Sequence, residues 1–192
     1  MPLDAYPFSE KFGWLNDKFG VSWQLVVAPS SQPIIPFLMF VGEQHGKAEE
    51  AINFYTSLFD NAGITSLQRY GPGQGEPEGT LMPSQFKLAG QDFMAMDSAL
   101  EHNFTFTEAT SFFVNCESQD EVDELWKKFT AEGEEGPCGW LKDRYGVSWQ
   151  IIPTVLMEML SDEDAARAER VAQAMLQMKK INVAELEAAY NN

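Results

Sequence analysis

The sequence predicts an α+β fold in which two tandem βαβββ modules are followed by helices. Three observations support this prediction. The hydrophobic pattern of residues 34–153 runs twice from strand to helix to strands, the pattern after residue 153 changes to helical spacing, and one hairpin-like segment occurs twice. A length of 192 residues, with 44% apolar and 22% charged residues, is typical of a globular chain and excludes fibrous and wholly disordered classes.

The first module is predicted to start with an apolar strand over 34–41, followed by a helix over 47–59. Four apolar residues of this helix recur at the spacing of one helical face: Ala48, Ala51, Ile52 and Tyr55. Three strands are predicted after it, over 64–70, 80–88 and 91–97. Ala89 and Gly90 form the expected hairpin turn between the last two strands.

The second module is predicted to start with the apolar strand 110–116. Ser118 and Glu121 then form a capping box, which predicts that a helix begins there. The apolar face of this helix consists of Val122, Leu125, Trp126 and Phe129. Short strands are predicted at 136–138, 140–142 and 147–152, with a turn at 143–146.

Residues 154–192 are predicted to form a C-terminal helical extension. The segment 161–164 carries a helix-capping signal. An apolar stripe follows it: Ala168, Val171, Ala172, Met175 and Met178. A last helix is predicted to begin at Asn182, and we expect these helices to pack on the domain or on a partner.

One segment is repeated. Residues 13–26 (GWLNDKFGVSWQLV) and 139–152 (GWLKDRYGVSWQII) are identical at nine of fourteen positions, which indicates a duplicated structural unit. We therefore predict that residues 1–33 hold the closing hairpin of an upstream repeat and a Pro- and Ser-rich linker, and that 34–153 form one complete domain. The first copy is apolar, so we expect an ordered hairpin that docks on sheet or helices at a dimer interface, and a disordered remnant is the alternative.

The charge excludes two classes of partner. The chain has 13 Lys and Arg against 29 Asp and Glu, a net charge of −16, which disfavours binding to nucleic acid and to anionic membranes. The longest apolar run, at 34–41, is far shorter than the roughly 20 residues that cross a bilayer. The N-terminus has no secretion signal and the chain has two cysteines, so a cytoplasmic location is expected.

The opening strand IIPFLMF, the helix EEAINFYTSLF and the closing motif GWLKDRYGVSWQIIP resemble the vicinal oxygen chelate superfamily, which includes glyoxalase I and bleomycin-resistance proteins. The chain is most similar to the PhnB-like branch, whose domain is often labelled 3-demethylubiquinone-9 3-methyltransferase. This resemblance implies a glyoxalase-like fold, in which the two modules form a curved, cup-like mixed sheet.

The resemblance also implies where a metal would bind. In metal-dependent members, ligands come from the first strand, from the equivalent strand of the second module and from the last strand. Those positions correspond here to Pro36, Ala109 and Gln150, and two of the three have no ligand atom. Asp97 and Gln150 alone are too few donors for a tight site, so we predict no bound metal.

A cofactor loop is not predicted either. Residues 71–79 are rich in glycine, but they include two prolines and two glutamates and precede a predicted strand. A cradle for a dinucleotide or S-adenosylmethionine instead needs backbone N–H groups at the start of a helix. We therefore predict no cofactor, and the residues give no support for methyl transfer and assign no reaction.

Aromatic and polar side chains on the concave face of the implied cup are expected to bind, or to act on, a small organic metabolite that is flat or phosphonate-like. The candidates are Gln150, Ser111, Asp97, Trp140, Phe112 and Phe37. Two alternatives stay open, a non-catalytic dimeric scaffold whose sheet is filled by side chains and a metal-dependent glyoxalase-type enzyme. The apolar C-terminal helices predict a homodimer.

The histidines and cysteines are weaker candidates for chemistry. His45 and His102 lie in polar loops, where solvated side chains are expected and a general base is the alternative. Cys116 and Cys138 have no His or Lys beside them, so we expect buried, unreactive thiols.

Overall fold

The computed structural model describes residues 1–27 and 32–192, and the chain divides into two units, Met1–Ile35 and Pro36–Asn192. Residues 28–31, which form most of the predicted linker, lie outside the described residues. No helix in the described part of the chain is long and apolar enough to span a membrane.

The first unit is an antiparallel sheet of three strands in the order β1 (Asp4–Tyr6), β2 (Ser9–Asn16) and β3 (Ser22–Val26). Strands β2 and β3 form the hairpin of the first repeat copy. Asp17 holds its turn, because Asp17 Oδ1 accepts two backbone N–H groups of the turn at 2.8 and 3.0 Å. Gly20 has a φ of 89°, which residues with a side chain rarely adopt.

The second unit begins with the first βαβββ module. Its elements are β4 (Phe37–Phe40), α1 (Ala48–Thr56), β5 (Gly63–Ser66), β6 (Ser84–Leu88) and β7 (Gln91–Asp97). The sheet order is β4-β7-β6-β5, with β4 parallel to β7. Strands β4, β5 and β6 are shorter than predicted. Proline has no N–H to donate to a ladder, and Pro36 and Pro83 directly precede β4 and β6.

The second module repeats this topology. Its elements are β8 (Ser111–Cys116), α2 (Gln119–Thr130), β9 (Glu134–Glu135), β10 (Trp140–Lys142) and β11 (Ser148–Pro153), in the sheet order β8-β11-β10-β9. The strand predicted at 136–138 lies instead at Glu134–Glu135, because Cys138 and Gly139 have φ values of 56° and 83° that form a turn. The capping box is confirmed, since Ser118 Oγ accepts the Glu121 N–H at 3.2 Å.

Both modules share one hydrophobic core. Trp149 of β11 is 2% exposed, and its ring lies 5.3 Å from Tyr55 of α1 and 4.7 Å from Phe129 of α2. Successive side chains of a strand point to opposite faces. Each sheet therefore has a core face and an opposite face, which we call the open face.

The C-terminal segment forms three helices, α3 (Thr154–Leu160), α4 (Ala165–Met175) and α5 (Val183–Asn191). Asp164 caps α4 and Asn182 caps α5, as predicted. The helices build a second apolar cluster around Val171, Ile181 and Leu186, which covers Ile152 of β11. The predicted α+β class with two βαβββ modules, open cup-like mixed sheets and C-terminal helices is confirmed.

Candidate functional site

Three of the six predicted ligand-binding residues meet on the open face of the second sheet. Trp140 of β10 pairs with Gln150 of β11 across the sheet, and the Gln150 Nε2 group donates a hydrogen bond to Ser111 Oγ of β8 at 2.9 Å. These residues come from three different strands. The sheet register therefore places Gln150, Ser111 and Trp140 side by side.

The register extends this group to six side chains, which we call the grid. One row of the grid consists of Lys142, Ser148 and Ser111, and the other consists of Trp140, Gln150 and Phe113. The first row offers hydroxyl and ammonium groups. The second row places one amide between two aromatic rings, which is an arrangement suited to a flat ligand.

The Trp140 side chain is half-buried, and Phe113 is 46% exposed. The Trp140 ring has no aromatic partner, and its indole N–H donates no hydrogen bond within the described residues. Both aromatic side chains of the grid therefore have surface available for contact with a ligand.

The charged group of the grid is the Lys142 ammonium, which forms an ion pair. Lys142 Nζ lies 2.5 Å from Glu108 Oε1, and both groups are partly exposed. This contact lowers the pKa of Glu108 and raises the pKa of Lys142. The grid thus carries one cationic group, which is ion-paired with Glu108. Glu134 of β9, which pairs with Lys142 across the sheet, also raises the pKa of Lys142.

Ser148 is a grid residue that the sequence reasoning missed. It is 1% exposed, yet its Oγ has no hydrogen-bond partner among the described residues. A buried hydroxyl without a partner is costly. Alternation along β11 could have found it, because Ser148 and Gln150 are two residues apart and so share a face.

Asp97 is not available to a ligand. It is 1% exposed, and its carboxylate accepts the backbone N–H groups of Gly46, Ala48 and Leu81 at 2.8, 3.2 and 2.8 Å. Two of these donors lie at the start of α1, where a carboxylate stabilises the helix. Asp97 therefore ties the first module together.

The two predicted phenylalanines lie away from the grid. Phe112 points to the core face, where its ring lies 5.1 Å from Trp149 and 5.2 Å from Phe93. Phe37 lies on the open face of the first sheet, next to Met94. A single site on the open face of the second sheet therefore includes Gln150, Ser111 and Trp140 and excludes Phe112.

The residues at the superfamily's metal positions do not fit a metal ion. Pro36 and Ala109 offer no ligand atom, and the Asp97 carboxylate already accepts three backbone N–H groups. In addition, the described residues contain no group of three or more His, Cys, Asp or Glu side chains placed to hold a metal.

Apart from the grid, the second unit has a cleft of about 590 Å³ that both histidines line. It lies between the segment that follows β4 and the segment that follows β7, and His45 and His102 line it. His45 Nε2 lies 4.0 Å from Glu76 Oε2, and His102 Nε2 lies 3.0 Å from Ser98 Oγ. Sequence reasoning placed both histidines in loops, but it gave no signal that these loops meet.

Glu76 of the glycine-rich segment 71–79 contacts residues that line this cleft. The Glu76 carboxylate accepts hydrogen bonds from Ser98 Oγ at 3.1 Å and from the Ala99 N–H at 2.7 Å. A β-bridge between Arg69 and Leu81 encloses the segment, and no helix follows it. The segment therefore lacks the helix N-terminus at which glycine-rich loops hold a cofactor.

Comparison with known proteins identifies relatives of this chain. Residues 3–26 and 32–152 match the family described as 3-demethylubiquinone-9 3-methyltransferase. The PhnB protein from Bacillus cereus is 45% identical, with 64% of this chain and 100% of that chain covered and a TM-score of 0.59. A protein from Pseudomonas aeruginosa shares the fold at 20% identity, with 64% and 98% covered and a TM-score of 0.54. No curated protein matches the chain.

Proposed function

The chain belongs to the 3-demethylubiquinone-9 3-methyltransferase family, in the PhnB-like branch of the vicinal oxygen chelate superfamily, and we propose that it binds a small organic molecule on the grid. The observation that carries this proposal is the row of Trp140, Gln150 and Phe113 on the open face of the second sheet. Aromatic rings supply contact area for a flat ligand, and the amide between them orients it by hydrogen bonding.

The polar contacts of Gln150 support the same role. Its Nε2 group is fixed on Ser111 Oγ, so the side chain is held in one orientation before a ligand arrives. The side chain is therefore already ordered, and no further conformational entropy is lost when its carbonyl oxygen accepts a hydrogen bond from a ligand. A preorganised amide of this kind discriminates between ligands with and without a donor group.

A dimeric scaffold is the second candidate, because the first unit exposes large apolar side chains on one face of its sheet. Leu15, Trp23 and Leu25 are 45%, 37% and 43% exposed. A contiguous exposed apolar face is typical of an interaction surface. The two candidates are compatible, since the grid and this face belong to different units.

Thermal unfolding of the full chain tests ligand binding. The protein is heated with a panel of planar aromatic and carbonyl-containing metabolites, and a ligand at a hundredfold excess over Kd stabilises it by about 2.7 kcal/mol. We expect Gln150→Ala and Trp140→Ala to abolish the shift in Tm caused by a binding compound. Gln24→Ala changes the equivalent residue of the first repeat copy and should leave the shift unchanged.

Two outcomes would contradict the proposal. In one, no compound of the panel changes the Tm of the wild-type protein. In the other, a compound raises the Tm equally in the wild type and in both grid variants, which would place its site elsewhere.

A further inference from the structure

We propose that Ser148, Trp140 and Lys142 form a subsite for an oxyanion, a carboxylate or phosphate group of the ligand. This inference rests on the proposed function, because it assigns a chemical class to the ligand of the grid. It is carried by a comparison between the two copies of the repeated hairpin, which have nearly the same sequence but a different arrangement at this point.

In the first copy, a tryptophan and a serine of the hairpin, Trp14 and Ser22, are hydrogen-bonded to each other. The Trp14 indole N–H donates to Ser22 Oγ at 2.7 Å. Trp140 and Ser148 are the equivalent residues of the second copy. There the Ser148 hydroxyl has no partner and the Trp140 N–H donates no hydrogen bond within the described residues. The second copy thus separates two groups that can bond to each other.

The sequences of the two copies differ by one positive charge, which the second copy carries at the strand position that pairs with Ser148. Four of the five differing positions are conservative exchanges of Lys and Arg, Phe and Tyr, Leu and Ile, or Val and Ile. The fifth is Asn16 in the first copy and Lys142 in the second. Lys142 pairs directly with Ser148 across the sheet, so the two side chains are neighbours on the open face.

Access to Ser148 requires a side chain to move, because the Ser148 Oγ is covered in the structure. We assign this movement to Trp140, because the equivalent Trp14 of the first copy reaches the equivalent Ser22. The Trp140 ring is half-buried, has no stacked aromatic partner and makes no hydrogen bond within the described residues. The bonded placement of Trp14 shows that the hairpin accepts more than one position of this ring.

The donors define the class of group that fits between them. The Trp140 N–H and the Lys142 ammonium are donors without acceptor capacity, and the Ser148 hydroxyl can donate as well. An oxyanion accepts from all three, and hydrogen bonds to a charged oxygen are stronger than those between neutral groups. Glu108 now neutralises Lys142, so a bound oxyanion would compete with Glu108 for the ammonium group.

Indole ¹H–¹⁵N spectra of the full chain test this subsite. The chain has five tryptophans, and Trp140→Phe identifies the Trp140 signal. The protein is titrated at constant ionic strength with sodium acetate, with inorganic phosphate and with acetamide as the neutral counterpart of acetate. We expect the Trp140 signal to move saturably with acetate or phosphate, and the tighter of the two identifies the group as carboxylate or phosphate.

Substitutions then assign the shift to the three residues. Ser148→Ala and Lys142→Met should each raise the apparent Kd at least tenfold, whereas Ser22→Ala, the matched change in the first copy, should leave it unchanged. A Trp140 signal that does not respond, that responds equally to acetamide, or that keeps its affinity in Ser148→Ala overturns the subsite. Panel compounds that need Gln150 but not Ser148 would overturn the subsite while leaving ligand binding on the grid intact.

Discussion

Cys116 shows how burial controls the chemistry of one residue. It ends β8 and is fully buried in the shared core. Burial, with a smaller effect of Glu121 and Glu117, raises the pKa of the thiol to about 12. The predicted burial is therefore confirmed for Cys116, whereas Cys138 is half-buried.

The two thiols are expected to react at different rates with a disulfide reagent at pH 8. A pKa of about 12 reduces the thiolate fraction of Cys116 by roughly three orders of magnitude relative to an ordinary thiol. One thiol per chain should therefore react fast, and Cys138→Ser should remove that fast phase. Fast reaction that persists in Cys138→Ser, at native temperature and without denaturant, would contradict the assignment.

The repeated hairpin shows how the same element is stabilised differently in two contexts. In the second copy, Asp143 is 4% exposed and accepts four hydrogen bonds, from the Tyr145 and Val147 N–H groups, the Trp149 indole and the Tyr55 hydroxyl. In the first copy, Asp17 accepts the equivalent hydrogen bonds from two N–H groups and from the Trp23 indole, but it is only half-buried. Burial raises the pKa of Asp143, whereas the Trp23 hydrogen bond lowers the pKa of Asp17.

Asp143→Ala is expected to lower the free energy of unfolding by about 3 kcal/mol or more, because it leaves several buried donors without an acceptor. Asp17→Ala should cost much less, since water can replace the carboxylate at an exposed turn. Urea denaturation of both variants measures this difference. Equal losses in the two variants would show that the turn itself, and not burial, accounts for the contribution of the aspartate.

At the scale of the whole molecule, one face of the first unit is apolar and exposed. The exposed residues Leu15, Trp23 and Leu25 are equivalent to Leu141, Trp149 and Ile151 of the second copy, which are 2%, 2% and 0% exposed. The same face is thus a core face in the complete module. An exposed core face favours association, and a two-fold dimer is the commonest way to cover one.

We predict a homodimer of about 43 kDa, twice the 21.6 kDa of the chain, by light scattering at tens of micromolar. Leu25→Asp puts a charge on this face and should shift the protein toward the monomer. Gln24→Asp adds the same charge on the opposite face of the same strand and should leave the dimer intact. A wild-type monomer, or a dimer unaffected by Leu25→Asp, would refute the prediction.

The sequence by itself determined the elements and their order, because hydrophobic spacing, capping residues and turn residues act over a few neighbouring positions. The capping box at Ser118 and Glu121 and the apolar face of α1 are examples, and both are present in the structure. The repeat likewise identified two hairpins with the same turn. The largest errors in the strands lie at 34–41, 64–88 and 136–138, where prolines and positive φ angles interrupt an apolar pattern.

Only the tertiary structure decided which side chains share a site. The Asp97 carboxylate accepts hydrogen bonds from residues up to 51 positions away. Its sequence neighbours therefore gave no sign that the carboxylate already has hydrogen-bond donors. His45 and His102 meet at one cleft for the same reason. The grid depends on the register between β8, β10 and β11, which is set by packing of the shared core. Local patterns fix the faces of each strand, but contacts between distant strands arise only when those faces are buried together.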